Sequence, residues 1–264
     1  TDTATNAQNA RFFLKLIQDR NSIEGLKNGL SGIQLLIAKK SSEIRTVEVR
    51  DCIIKELCRL ALDELGPPLR NQLSSCILEF VVADSRALFP IVDGLIASLI
   101  PQKSDHRVLP GGRINAWGCL ERVLTFQGRQ CASRLPDIVS AAKHSTRVGE
   151  AAAVRIAAAR ACCTAVLAAS DSGKHVHDEI LKLSKVLLAD KLPNLRNPAA
   201  QLALAAVQSN PAPHSLAGVE SVVQGLVKCL EDASADMASA RLACATTLGE
   251  LLCVLALAPS GGRE

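Results

Sequence analysis

The chain has 264 residues, of which 48% are hydrophobic and only 2% aromatic, with five Phe, one Trp and no Tyr. The hydrophobic fraction excludes a disordered chain. The scarcity of aromatic residues argues against a β-sandwich or barrel, whose cores lean on β-branched and aromatic side chains. A net charge of +4 does not announce a nucleic-acid binder.

In chain order, apolar periodicity predicts helices over 10–19, 23–39, 47–65 and 68–83. Gly66-Pro67-Pro68 ends one helix and opens the next, since proline is tolerated in a first turn. Further helices begin near Pro90, Pro136, Val176 and Val219, at intervals of 46, 40 and 43 residues. Between them lie helices over 112–126, 148–169, 198–208 and 236–257. Repeats of about 40–47 residues are the period of HEAT and armadillo helical pairs. The expected fold is therefore all-α, an α-solenoid of about six HEAT- or armadillo-like hairpins. It runs over 1–264 as one unit, irregular over 1–89 and more regular over 90–264.

The turns carry a pattern of their own. In VLLADKLPNLRNPAAQLALAAV (186–207), Asp190 follows a helix end and Arg196 comes six residues later. An Asp there is expected to cap the following helix or its turn. The Arg is expected to reach the Asp of a neighbouring repeat, forming a ladder. A second copy, over 227–252, has Asp232 but Met237 or Ala238 near the Arg position, so it reads as degenerate there. Loops are expected at 101–112, a candidate functional insertion, and at 210–216.

Catalytic signatures are missing. The sequence holds no GxxxxGK[ST], no GxSxG, no HExxH and no His-Glu dipeptide. The segment His175-Val176-His177-Asp178 places two histidines on different sides of a helix, so they read as solvated residues rather than ligands. None of the ten cysteines forms a CxxC pair, and they read as buried, reduced thiols acting as small hydrophobes, Cys162-Cys163 included. No apolar run is expected to reach the ~18 residues of a membrane span. The expectation is a non-enzymatic chain without cofactor or metal.

Charge is unevenly spread. Residues 101–160 hold ten Lys/Arg against four acids, a local +6 that leaves −2 elsewhere. Arg113, Arg122, Arg129, Arg155 and Arg160 are the candidates for a basic strip facing a partner, against the plainer reading of solvated charge. Trp117 joins them as a candidate anchor. Its neighbours Ile114, Cys119, Leu120, Val123 and Leu124 favour instead a place in the core. The apolar LGELLCVLALAP (248–259) is expected to pack on a further repeat, a second copy or another subunit. Beginning at Thr1, the sequence reads as a processed chain or a fragment.

The ordered segments GPPLRNQLSSCILEFV (66–81), LPGGRINAWGCLERVL (109–124), SRLPDIVSAAKHS (133–145), VRIAAARACCTAVLAA (154–169) and 176–207 resemble the N-terminal region of the HEAT-repeat-containing protein 5 family. That family includes the large accessory protein of the type-1 clathrin adaptor in yeast. The resemblance implies a long, non-enzymatic scaffold working with clathrin-adaptor machinery in Golgi–endosome traffic. It also implies a cytoplasmic location, peripheral on those membranes. It carries over no individual functional residue. The alternative is a HEAT-like nuclear-transport or nucleic-acid-associated scaffold using the basic 101–160 segment, with few aromatic rings for base stacking.

Overall fold

The computed structural model describes residues 2–257, apart from 21, 41–43, 45, 101–107, 170–175, 210–215 and 233–237. Twelve α-helices and no strands occur among the described residues. The chain divides into two compact units, residues 1–126 and 127–264.

The first unit holds α1 (Asp2–Gln18), α2 (Ile23–Ala38), α3 (Val47–Leu60), α4 (Pro67–Ala83), α5 (Leu88–Leu99) and α6 (Pro110–Gln127), the last ending at the unit boundary. Ser22 starts α2 by accepting a hydrogen bond from the Gly25 amide at 2.9 Å, which satisfies one orphan donor of the first turn. Leu26, Leu30, Ile33 and Leu36 then share the buried face of α2. Helix α1 packs on α2 and α3, α2 on α4, and α3 on α4 and α5.

The closest approaches in this unit are made at two glycines. A Cβ on Gly32 would overlap the Phe13 ring, and one on Gly112 would overlap the Leu62 carbonyl. Gly112 thus lets the first turn of α6 rest on backbone at the end of α3. Helix α6 starts at Pro110, so the loop expected at 101–112 gives up its last three residues to the helix. Its first seven lie outside the described residues. Proline and glycine are tolerable there because first-turn amides lack intrahelical partners in any case.

The second unit holds α7 (Leu135–Ser145), α8 (Ala152–Ala169), α9 (His177–Leu188), α10 (Pro193–Ser209), α11 (Leu216–Glu231) and α12 (Ala238–Leu257). Helix α7 packs on α8 and α9, α9 on α10 and α11, and α11 on α12. The even helices form a second row, with α8 on α10 and α10 on α12. In the second unit the helices therefore touch both within pairs and between helices two places apart, and in the first unit α1 with α3, α2 with α4 and α3 with α5 do the same across two places.

Packing explains the composition. Helix α10 is flanked by α8, α9 and α12. It buries Leu195, Ala199, Ala200, Leu202, Ala203, Ala205, Ala206 and Val207, leaving a narrow exposed stripe of Asn194, Asn197, Gln201 and Gln208. Alanines let helix axes close up on several sides, where an aromatic ring would hold them apart. Helix α8 buries Val154, Ala158, Ala159, Ala161, Cys162 and Val166 in the same manner.

Three expectations need correction here. Helix α10 begins at Pro193, not Pro198, and Pro198 lies inside it. So near the start, a proline removes only one or two intrahelical bonds, and the buried apolar face outweighs that loss. Helix α8, at 18 residues, is long and apolar enough by length and composition to cross a membrane, although no such run was expected. It is 56% buried within the fold, between α7 and α10. His177, expected in solvent, is buried at 4% exposure in the first turn of α9; His175 lies outside the described residues.

Candidate interaction surface and turn network

In the second unit, arginines at the starts of the even helices bind the turns between paired helices. Arg155, on α8, is 4% exposed. Its Nε donates to the Thr146 carbonyl at 3.0 Å, and its guanidinium also bonds both carboxylate oxygens of Asp190, one turn further along. Arg196, on α10, repeats the arrangement. Its Nε donates to the Asp190 carbonyl at 3.0 Å and its Nη1 reaches Asp232 at 3.1 Å. Arg241, on α12, donates to the Asp232 carbonyl. Each guanidinium thus serves a turn carbonyl, and Arg155 and Arg196 also reach the carboxylate of the following turn, a use of the planar fork that lysine cannot reproduce.

The ladder between Asp and Arg expected from the sequence is present at Asp190 and Asp232. The second copy is not degenerate as expected. The Arg position is filled by Arg241 rather than by Met237 or Ala238, because the segment after Asp232 is longer than that after Asp190. Asp190 does cap its turn, accepting from the Leu192 amide at 3.0 Å. Burial pushes the Asp190 carboxyl up, but hydrogen bonds from Arg155 and Leu192 outweigh it and hold the group below the ordinary aspartate value.

The six candidate partner-binding residues divide between the two units. In the first, Trp117 is fully buried and Arg113 is half-buried, while Arg122 is exposed. In the second, Arg155 is buried in the ladder, whereas Arg129 and Arg160 are exposed. Trp117 and Arg155 are therefore not surface residues. Trp117 shares its helix face with Ala116, Leu120, Val123 and Leu124, and its ring fills the core. Arg155 faces inward because Thr146 and Asp190 supply oxygen acceptors there. Arg122, Arg129 and Arg160 remain as surface cations. The missed signal was spacing: Arg155, Arg196 and Arg241 recur at 41 and 45 residues, in step with the helix pairs.

Helix α12 has two faces. Ala240, Cys244, Thr247 and Leu251 are buried, at intervals of four, three and four residues. Leu242 and Leu252 are exposed, at 70% and 55%. The cysteines mostly follow the sequence reading: seven are buried and Cys58 is half-buried, but Cys52 and Cys253 are exposed. Burial pushes the Cys58 thiol up to about 11, and those of Cys119 and Cys162 up to about 12, which leaves them inert as nucleophiles. Among the described residues no cluster of His, Cys, Asp and Glu could hold a metal ion.

Fold and site together define an all-helical chain whose helices pack in pairs and in rows, with arginine-linked turns in the second unit. No known family matches the chain, and no curated protein does; membership of the HEAT-repeat-containing protein 5 family has no support from these comparisons. Among solved structures, an engineered protein, Northeast Structural Genomics Consortium target OR329, is similar at 16% identity and a TM-score of 0.45. The match covers 92% of this chain and 97% of that one.

Proposed function

We propose that the chain is part of a HEAT-type α-solenoid and acts as a non-enzymatic scaffold for other proteins, in clathrin-adaptor-linked membrane traffic. The observation that carries the scaffold reading is the repeated turn network, in which Arg155 and Arg196 each tie one helix pair to the next. Such links make each pair lean on its neighbour, the energetic logic of a repeat array. The trafficking part rests on the sequence resemblance alone.

Recognition would occur on exposed helix faces. Arg122, Arg129 and Arg160 supply positive charge for an acidic partner. The exposed leucines of α12 supply an apolar face for a neighbouring repeat or subunit. The test is affinity capture with the whole chain from a cell extract, alongside the triple variant Arg122→Glu, Arg129→Glu, Arg160→Glu. Recovery of clathrin-adaptor subunits by the native chain, and their loss with the variant, is the expected result. Capture without any adaptor subunit would overturn the trafficking assignment. Identical partners for the variant would overturn the basic contact.

A further inference from the structure

Helix α11 lies against α9 with small groups at the contact. An added Cβ on Gly225 would lie 3.3 Å from the Leu188 side chain, and the Cys229 thiol donates to the Leu188 carbonyl at 3.4 Å. Beside this contact opens a cleft of about 570 Å³, lined among others by Lys185 of α9, Arg196 of α10, Ser221, Lys228 and Glu231 of α11, and Asp232 in the turn that follows. Ser221, Gly225 and Lys228 stand four and three residues apart, so one face of α11 forms this wall. Leu188 and Ala189 add an apolar patch.

The charges of the cleft are only partly paired. Arg196 and Asp232 neutralise each other at 3.1 Å. Lys185 and Lys228 are exposed and take part in no ion pair among the described residues, and the same holds for Glu231. Two unpaired ammonium groups against one carboxylate leave the cleft with a surplus of one positive charge. The Ser221 hydroxyl is buried and has no hydrogen-bond partner. No bond holds its rotamer, so rotation about χ1 can turn it toward an acceptor that enters the cleft.

We propose that this cleft docks an acidic peptide segment of a partner protein. One Asp or Glu carboxylate of the segment binds Lys185 and Lys228, and an apolar side chain next to it lies on Leu188 and Ala189. A single carboxylate matches the surplus of one positive charge. A phosphate dianion matches it less well. Its preferred partner is a guanidinium fork, and the one in this cleft, Arg196, is already committed to the Asp190 carbonyl and to Asp232. Glu231 and Asp232 also repel a second negative charge. A nucleic-acid strand needs a run of cations along its backbone and rings for stacking, and the lining of the cleft offers neither. The inference rests on the scaffold reading, because it needs a protein partner, but it uses none of Arg122, Arg129 and Arg160 and nothing of the trafficking assignment.

The purified whole chain is passed over arrays of short peptides that carry one central Asp or Glu among uncharged residues. Matching arrays carry Asn or Gln, or phosphoserine, at the centre. The expected result is retention by carboxylate peptides at least about tenfold above amide peptides, falling as salt is raised. Lys185→Gln with Lys228→Gln should weaken the best peptide by about tenfold or more. Both lysines are exposed, so the fold tolerates their replacement. Lys15→Gln with Lys27→Gln, exposed lysines of the first unit, should leave binding unchanged. Bound peptide should also protect Lys185 and Lys228 from acetylation by acetic anhydride, read by mass spectrometry. The proposal is overturned if no carboxylate peptide is retained, if amide peptides are retained equally, or if phosphoserine peptides bind more tightly. Unchanged binding after loss of Lys185 and Lys228, or no protection of these lysines, overturns it as well. None of these results bears on capture of a whole partner through Arg122, Arg129 and Arg160, so the two readings fail separately.

Discussion

Replacing Arg155 by alanine should be among the most damaging single changes in the second unit. The native side chain is 4% exposed and bonds the Thr146 carbonyl and both oxygens of Asp190. Alanine leaves the Asp190 carboxylate, 10% exposed in its side chain, without its guanidinium, and leaves the Thr146 carbonyl without this donor. Breaking a buried, hydrogen-bonded ion pair by removing one partner costs about 3–5 kcal/mol. The Leu192 amide still serves Asp190, which places the expected loss near the lower bound, ~3 kcal/mol. For a unit of this size, that corresponds to a fall in Tm of roughly 10 °C. Asp190→Leu should lose a similar amount. The double variant Arg155→Met, Asp190→Leu should recover much of the loss, because no buried charge is left unpaired. Urea denaturation followed by far-UV circular dichroism measures all three variants. A loss for Arg155→Ala within about 0.5 kcal/mol of zero, the range of an ordinary surface change, would refute the turn network as a structural link.

Three further outcomes follow from the packing and electrostatics. Gly112→Ala should destabilise the first unit by about 1–3 kcal/mol, since its Cβ meets the Leu62 backbone rather than a movable side chain; an unchanged urea midpoint would contradict that close approach. The single Trp117, fully buried, should emit at short wavelength and resist acrylamide quenching until the chain unfolds, and rapid quenching in the native chain would refute its placement. Asp84 and Asp190 both lie below the ordinary aspartate value: Asp84 through the Arg86 hydrogen bond, Asp190 because its hydrogen bonds outweigh burial. Between folded and unfolded values the unfolded chain binds more protons. Their contribution is therefore complete above about pH 4, the unfolded aspartate value, and is lost as pH falls through the lower folded values. Asp190→Asn should flatten that acid limb of a stability–pH curve, and an unaltered limb would remove Asp190 from the account.

The interior of the ladder was legible only in part. Asp190 followed by Arg196 has the spacing of a capped turn, and both residues play the roles their types suggest. Arg155 looked the same as Arg160 in sequence, one more cation in a basic segment, yet one is buried and the other exposed. Five residues turn a helix by well over a full revolution, so the two point to different sides, and only the fold shows which side holds oxygen acceptors. Trp117 was better determined, because its apolar neighbours recur at helical spacing and specify a core face without reference to distant residues.

Sequence alone determined the helical class, the repeat period and the alanine-rich packing, because these depend on local propensity and on periodicity along one helix. Tertiary structure decided the division into two units and the inward turn of Arg155 onto Asp190. A separation of 35 residues lies between Arg155 and Asp190, and no local pattern relates them. Their side chains meet because α8 packs on α10, whose preceding turn carries Asp190. A buried guanidinium needs oxygen acceptors within a few ångströms, and those acceptors come from turns far apart in the chain.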